Sequence, residues 1–227
     1  MSQESDTFTS LGWSDVWASV LTQPSVATFE TILGDPQATD RRACTWVFMS
    51  ALIGYTFSMF VQALVSGLNG SASQAGSSIA SAVGISLIAM LCAAPFSALG
   101  AVLGLVTSAG ITQLIANALG GTGTYSKLVY AFAAYIAPLT LLTSLLGAIP
   151  LVNCLAVLPG IYGLVLNVIA VKAVNQFGWG RAIASSVFIL LVALVLVAII
   201  WIVVLALLGP SIRDMFYNFR GTPPELP

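Results

Sequence analysis

The residues able to do chemistry in this 227-residue chain are few and unevenly placed. There is no histidine. Six acids (Glu4, Asp6, Asp15, Glu30, Asp35 and Asp40) fall within the first forty residues, and from Arg41 to Arg213 there is no Asp or Glu. Hydrolysis inside an apolar segment needs a nucleophile or water activated by a base of suitable pKa: a Ser–His pair, paired aspartates, or zinc held by Glu and His. All of these are missing from the long middle of the chain. A Ser–Lys arrangement remains in form only, with Ser126 beside Lys127 or Ser186 near Arg181. Both read as polar residues at helix starts and as interfacial cations. Cys44, Cys92 and Cys154 lack the paired spacing of a metal site or disulfide framework and read as small packing residues. The expectation is therefore no catalytic residue, no cofactor and no metal. Coupling to protons or cations lacks its usual intramembrane carboxylates and histidines too.

What the middle does contain is neutral: Gln62, Gln113, Asn117, Thr140, Asn153, Tyr162 and Asn167. Asn153, Tyr162 and Asn167 could line a path for a small uncharged solute. The alternative use is interhelical hydrogen bonding, worth about 0.6 kcal/mol per bond. Gly100, Gly104 and Ser108 recur every four residues, a face that lets another helix approach closely. Gly160 and Gly163 offer a similar face, and the adjacent Pro159 is expected to kink that segment. Gly120, Gly121 and Gly123 read as turn residues allowing positive φ, with Thr124 capping the helix that follows. A phosphate-cradling loop is not supported, because no strand precedes the glycines and no GK[ST] follows.

The elements that carry these residues are transmembrane. The chain is 58% hydrophobic and 7% charged, against about 25% charged in an ordinary soluble domain. Between Gly120 and Ala182 lie two apolar segments of about 20 residues, long enough at 1.5 Å per residue to cross a roughly 30 Å hydrocarbon core. They meet at Ile149-Pro150, which predicts a tight hairpin. The expected spans are 44–65, part of the run 79–119, 128–148, 151–171 and 182–208, the last stopped by Gly209-Pro210. Pro95 splits the second run and Pro138 kinks the third span. Residues 79–94 are sixteen in number and reach only about 24 Å as a helix. They span, re-enter, or extend the second span. The cations choose among topologies by the positive-inside rule. Five spans with the N-terminus inside place Arg41, Arg42, Lys127, Lys172 and Arg181 in the cytoplasm, five against two. Six spans give four against three. Five spans are expected.

Ahead of the first span, Trp13, Val16, Trp17, Val20 and Leu21 form one helical stripe, and Val26, Phe29, Ile32 and Leu33 form a second. Two amphipathic helices follow. They lie on the membrane with Trp13, Trp17 and Phe29 as interfacial anchors, or they pack on the protein's own cytoplasmic loops. The expected organisation is all-α: an acidic cytoplasmic segment (1–40), a transmembrane bundle (41–210) and a short tail (211–227). The scattered cations exclude a nucleic-acid surface.

GGTGTY at 120–125, Tyr135 and Pro138 in AYIAPL, Pro150, and VKAVNQFGWGRA with Lys172 and Arg181 resemble the Yip (Ypt-interacting protein) domain family of five-span membrane proteins. WASVLTQPSVATFETIL resembles the amphipathic lead-in of prokaryotic members. Many members carry a histidine where this chain has Asn175. The resemblance implies a helical bundle with a cytoplasmic N-terminus and a non-enzymatic, membrane-organising or partner-recruiting role. Eukaryotic members associate with Rab-type GTPases in vesicle traffic. The expected setting is a prokaryotic inner membrane, with the bilayer, other membrane proteins or a second copy as partners. A neutral-solute channel or carrier, or an accessory subunit of a larger complex, stands as the alternative.

Overall fold

A computed structural model describes the backbone of residues 11–68, 79–149 and 152–219. Among the described residues all regular structure is helical: α1 (Trp13–Thr22), α2 (Val26–Leu33), α3 (Asp40–Leu68), α4 (Ile79–Ala118), α5 (Tyr125–Ala148), a 3-10 turn (Asn153–Ala156), α6 (Val157–Asn175) and α7 (Trp179–Phe219). Five stretches are long and apolar enough to cross a membrane: Asp40–Val65, Cys92–Ala118, Tyr125–Ala148, Asn153–Asn175 and Trp179–Gly209. The chain divides into two compact units, one ending at Ser186 and one beginning at Val187.

In the first unit α5 is the hub. Its residues Leu128 to Tyr135 are buried without a break, the pattern of a helix enclosed on every side rather than of an amphipathic one. It packs against α3, α4 and α6, and also touches α1 and α2. Gly54 lets α3 approach it: a Cβ there would lie 2.5 Å from Ser144 Oγ and 2.9 Å from Ser144 Cβ. One turn on, the Ser58 hydroxyl donates to the Ser144 carbonyl at 3.1 Å. The second unit carries the continuation of α7, whose span is the most apolar of the five, with a mean hydropathy of 3.5.

The two N-terminal helices form where the stripe spacing predicts. Ser25 caps α2, its hydroxyl oxygen accepting the Thr28 backbone N–H at 3.1 Å. The stripe faces protein: Val16, Val20, Phe29 and Ile32 belong to the main core with Trp46, Tyr130 and Leu166.

Several boundaries differ from the sequence reading, each for a local reason. Pro95 lies inside α4, which runs unbroken from Ile79, so residues 79–94 extend the second span. A proline forfeits one backbone bond, a loss tolerated where neighbouring helices pack. Pro159 stands in the first turn of α6, where its missing N–H was unpaired in any case. The segment expected to open a helix at 151 starts instead with the 3-10 turn. The fifth candidate span ends at Gly209, as the sequence predicts, although α7 itself continues to Phe219. Thr124 occupies the N-cap position of α5 without a side-chain capping bond. Pro150 lies outside the described residues.

Candidate functional site at the basic end

Helix starts and ends converge at one end of the first unit. The Ser126 hydroxyl at the head of α5 donates to Asp40 Oδ1 at 2.6 Å, which sets that head beside the start of α3. The 120–124 turn rests on the last residues of α6: a Cβ on Gly123 would lie 2.6 Å from the Val174 carbonyl oxygen. One on Gly120 would lie 3.5 Å from Arg181 Nη1. Arg41, Arg42, Lys127, Lys172 and Arg181 are thereby gathered at this end. Lys172 sets its Nζ 4.9 Å over the exposed Trp179 ring, a contact that leaves its charge at the surface.

Beneath the turn is a buried amide node. Gln113 Nε2 donates toward Gly123 O (2.7 Å), Asn117 Oδ1 (2.8 Å) and Asn175 Oδ1 (3.2 Å). Three acceptors around one nitrogen fix the amide's orientation, since the flipped form would set oxygen against oxygen. Asn175 completes the node by donating from Nδ2 to Val171 O at 3.1 Å. Gly121 and Gly123 are glycine because of this approach and not because of φ. Cβ atoms there would meet Asn175 Oδ1 at 2.6 and 2.8 Å, while the positive φ of the turn belongs to Gly120 at 86°. Replacing Gln113 by Leu strands the Gly123 carbonyl and the Asn175 amide oxygen. Unfolding in detergent is expected to show a loss of about 1–3 kcal/mol, and Asn117→Leu a smaller one, because Asn117 is exposed.

The N-terminal helices are clasped to the same end. Arg42 Nη1 bonds Asp35 Oδ2 at 3.2 Å, and its Nη2 donates to the Leu11 carbonyl. Asp35 also accepts the backbone N–H groups of Leu11 (3.3 Å) and Gln37 (2.8 Å). Arg42 lies 4.9 Å over the Trp46 ring. That ring is edge-on to Trp13 and Trp17, with centroids 5.9 and 6.0 Å away, and 5.2 Å from Tyr130. Trp17 Nε1, Trp46 Nε1, Arg42 Nε and the Tyr130 hydroxyl are buried without a hydrogen-bond partner among the described residues. Aromatic packing and the guanidinium face, not side-chain hydrogen bonds among the rings, hold the cluster.

The other sequence-predicted residues are dispersed. Of the three anchors, Trp13 is 44% exposed, Trp17 is half-buried, and Phe29 is fully buried. Phe29 is therefore a core residue, because its stripe is covered by α5 and α6. Asn153, Tyr162 and Asn167 do not line a common path. The Tyr162 hydroxyl donates to Leu21 O at 2.8 Å and Asn167 Nδ2 donates to the Tyr135 hydroxyl at 3.0 Å, while Asn153 is exposed in the 3-10 turn. Gly100, Gly104 and Gly160 face open space, whereas a Cβ on Gly163 would come 3.2 Å from Leu139 Cδ1. The Ser108 hydroxyl bonds back to Leu105 O within its own helix. Pro138 is buried inside α5. Ser126 is engaged with an acid rather than a base, which separates it from any Ser–Lys pair.

Sequence reasoning did not find the amide node, the Arg42–Asp35 clasp or Gly54. A glutamine and an asparagine flanking a glycine turn inside apolar segments were the available signal for the first. Compared with known proteins, residues 18–209 match the family model of the Yip1 domain. No curated protein and no solved structure matches the chain.

Proposed function

This chain belongs to the Yip1 domain family, and from that premise we propose that it is a non-enzymatic membrane protein that recruits a protein partner at its basic end. One observation carries the reading: the apolar stripes of α1 and α2 are spent on the protein's own core, with Val16, Val20, Phe29 and Ile32 at most 1% exposed. A helix whose apolar side is already covered cannot use that side to enter a bilayer. It presents its other side instead, where Asp15 of α1 and Glu30 of α2 are exposed. Preformed surfaces of this kind bind without the ordering cost of a disordered segment. The gathering of Arg41, Arg42, Lys127, Lys172 and Arg181 supports a cytoplasmic location for this end, with five spans. The likeness of the lead-in to prokaryotic members supports a prokaryotic plasma membrane as the setting.

Charge reversal of Asp15 and Glu30 to Lys is the test. Both side chains are exposed, so membrane insertion and thermal stability are expected to stay within about 0.5 kcal/mol of the parent. Recovery of partners in native co-purification is expected to fall. Unchanged recovery would place the recruiting surface elsewhere.

A further inference from the structure

Between α5 and α6 runs an open groove of about 320 Å³, lined on the α5 side by Tyr135, Leu139, Thr140, Thr143 and Ser144 and on the α6 side by Pro159, Gly160 and Gly163. Its depth in the membrane follows from helix geometry. Tyr135 lies ten residues into α5, about 15 Å from the basic end, and Ser144 about 28 Å from it. The groove therefore extends from the middle of the spans to the level where α5 ends, away from the basic end.

Three features decide what fits. The lining carries no charge, which excludes an ionised headgroup from the interior, given the cost of moving an ion out of water. Gly160 supplies no side chain, and the space its Cβ would enter is empty. A volume of about 320 Å³ holds on the order of ten water-sized groups at ~30 Å³ each, which matches a run of methylenes. The outer end is lined by the exposed Thr143, five residues before the end of α5, whereas the Ser144 hydroxyl is turned to Gly54 of α3. Thr143 thus lies at the depth of the ester carbonyls of a bilayer lipid, which accept hydrogen bonds and donate none.

We propose that this groove is a lipid site that seats one acyl chain from the leaflet remote from the basic end, with its ester at Thr143. Leu142, Leu145, Ile161 and Leu164, neighbours of the lining residues in α5 and α6, are exposed. A slot of about 320 Å³ admits a chain of methylenes but not a helix from a second copy, whose diameter with side chains is about 10 Å.

A side chain at 160 starts into open space, whereas one at 163 starts 3.2 Å from Leu139 Cδ1, so Gly160→Leu is the variant that fills the groove with the least disturbance of packing. The full chain is reconstituted in phosphatidylcholine vesicles containing phosphatidylcholine with a photoactivatable diazirine on one acyl chain. After irradiation, the labelled peptides are mapped by mass spectrometry. Labelling is expected to concentrate on residues 139–144 and 159–163. Gly160→Leu is expected to cut it there to about a tenth or less, because losing even two buried methylenes costs a factor of that order. Gly160→Ala is expected to retain it, and both variants to melt with the parent. Uniform labelling along all spans, labelling in Gly160→Leu equal to the parent's, or a crosslink at 159–163 to a second copy would each overturn the proposal.

Discussion

Replacing Arg42 by Ala is expected to lower the stability of the first unit by about 3–5 kcal/mol, the usual consequence of removing one partner from a buried ion pair. Asp35 is 8% exposed. Without the guanidinium its carboxylate keeps only the backbone N–H groups of Leu11 and Gln37. The Leu11 carbonyl loses its donor, and the Trp46 ring loses the cation above it. Arg42→Lys restores the charge, but one ammonium cannot fork to the Asp35 carboxylate and the Leu11 carbonyl while lying flat on an indole. It is expected to recover less than half of the loss. Adding Asp35→Asn to Arg42→Ala removes the stranded charge, and the double variant is expected to be more stable than the sum of the singles indicates. Unfolding in mixed micelles gives the energies. Emission from the Trp13, Trp17 and Trp46 cluster reports whether α1 has come away. A loss below about 0.5 kcal/mol, the range of ordinary surface substitutions, would mean that the clasp is not what holds the N-terminal helices.

Gly123→Ala is expected to cost about 1–3 kcal/mol, the range for forcing an extra carbon into a filled site, while Gly104→Ala is neutral or stabilising. The sequence reads Gly104 as the glycine of a close helix approach and Gly123 as a turn residue, and their surroundings are the reverse. Around Gly123, a new Cβ would sit 2.6 Å from the Val174 carbonyl oxygen, 2.7 Å from Val174 Cγ1 and 2.8 Å from Asn175 Oδ1. The nearest of these is backbone at the end of α6, so the turn itself must move and the Gln113 node must open with it. A Cβ on Gly104 would meet nothing within 4 Å beyond its own helix backbone, and alanine is the better helix former by about 0.5–1 kcal/mol. Parallel melting curves of the two variants check the contrast. Equal effects would remove the argument that the turn is fixed by its approach to α6.

The contrast also marks the division between what was legible in the residues and what was not. Length and hydropathy put helices at α3, α5 and α6, because a segment of about 20 apolar residues has few other stable forms in lipid. Periodicity placed α1 and α2, and the Ser25 cap agrees with it. A boundary was misplaced at Pro95, since a missing N–H ends a helix only where nothing else compensates for it, whereas the fifth candidate span does end at Gly209.

The amino-acid sequence by itself determined the solvent, the helical class and the absence of acids and histidines between Arg41 and Arg213. The tertiary structure alone decided which apolar faces meet protein and which are left for lipid. Phe29 and Trp13 belong to equally apolar stripes, yet one is enclosed and the other 44% exposed. Hydropathy cannot separate these outcomes, because it scores the transfer of a side chain out of water and not which neighbour covers it. Likewise Gln113 meets Asn175 across 62 residues, a pairing set by where α4 and α6 end in space and carried by no local pattern.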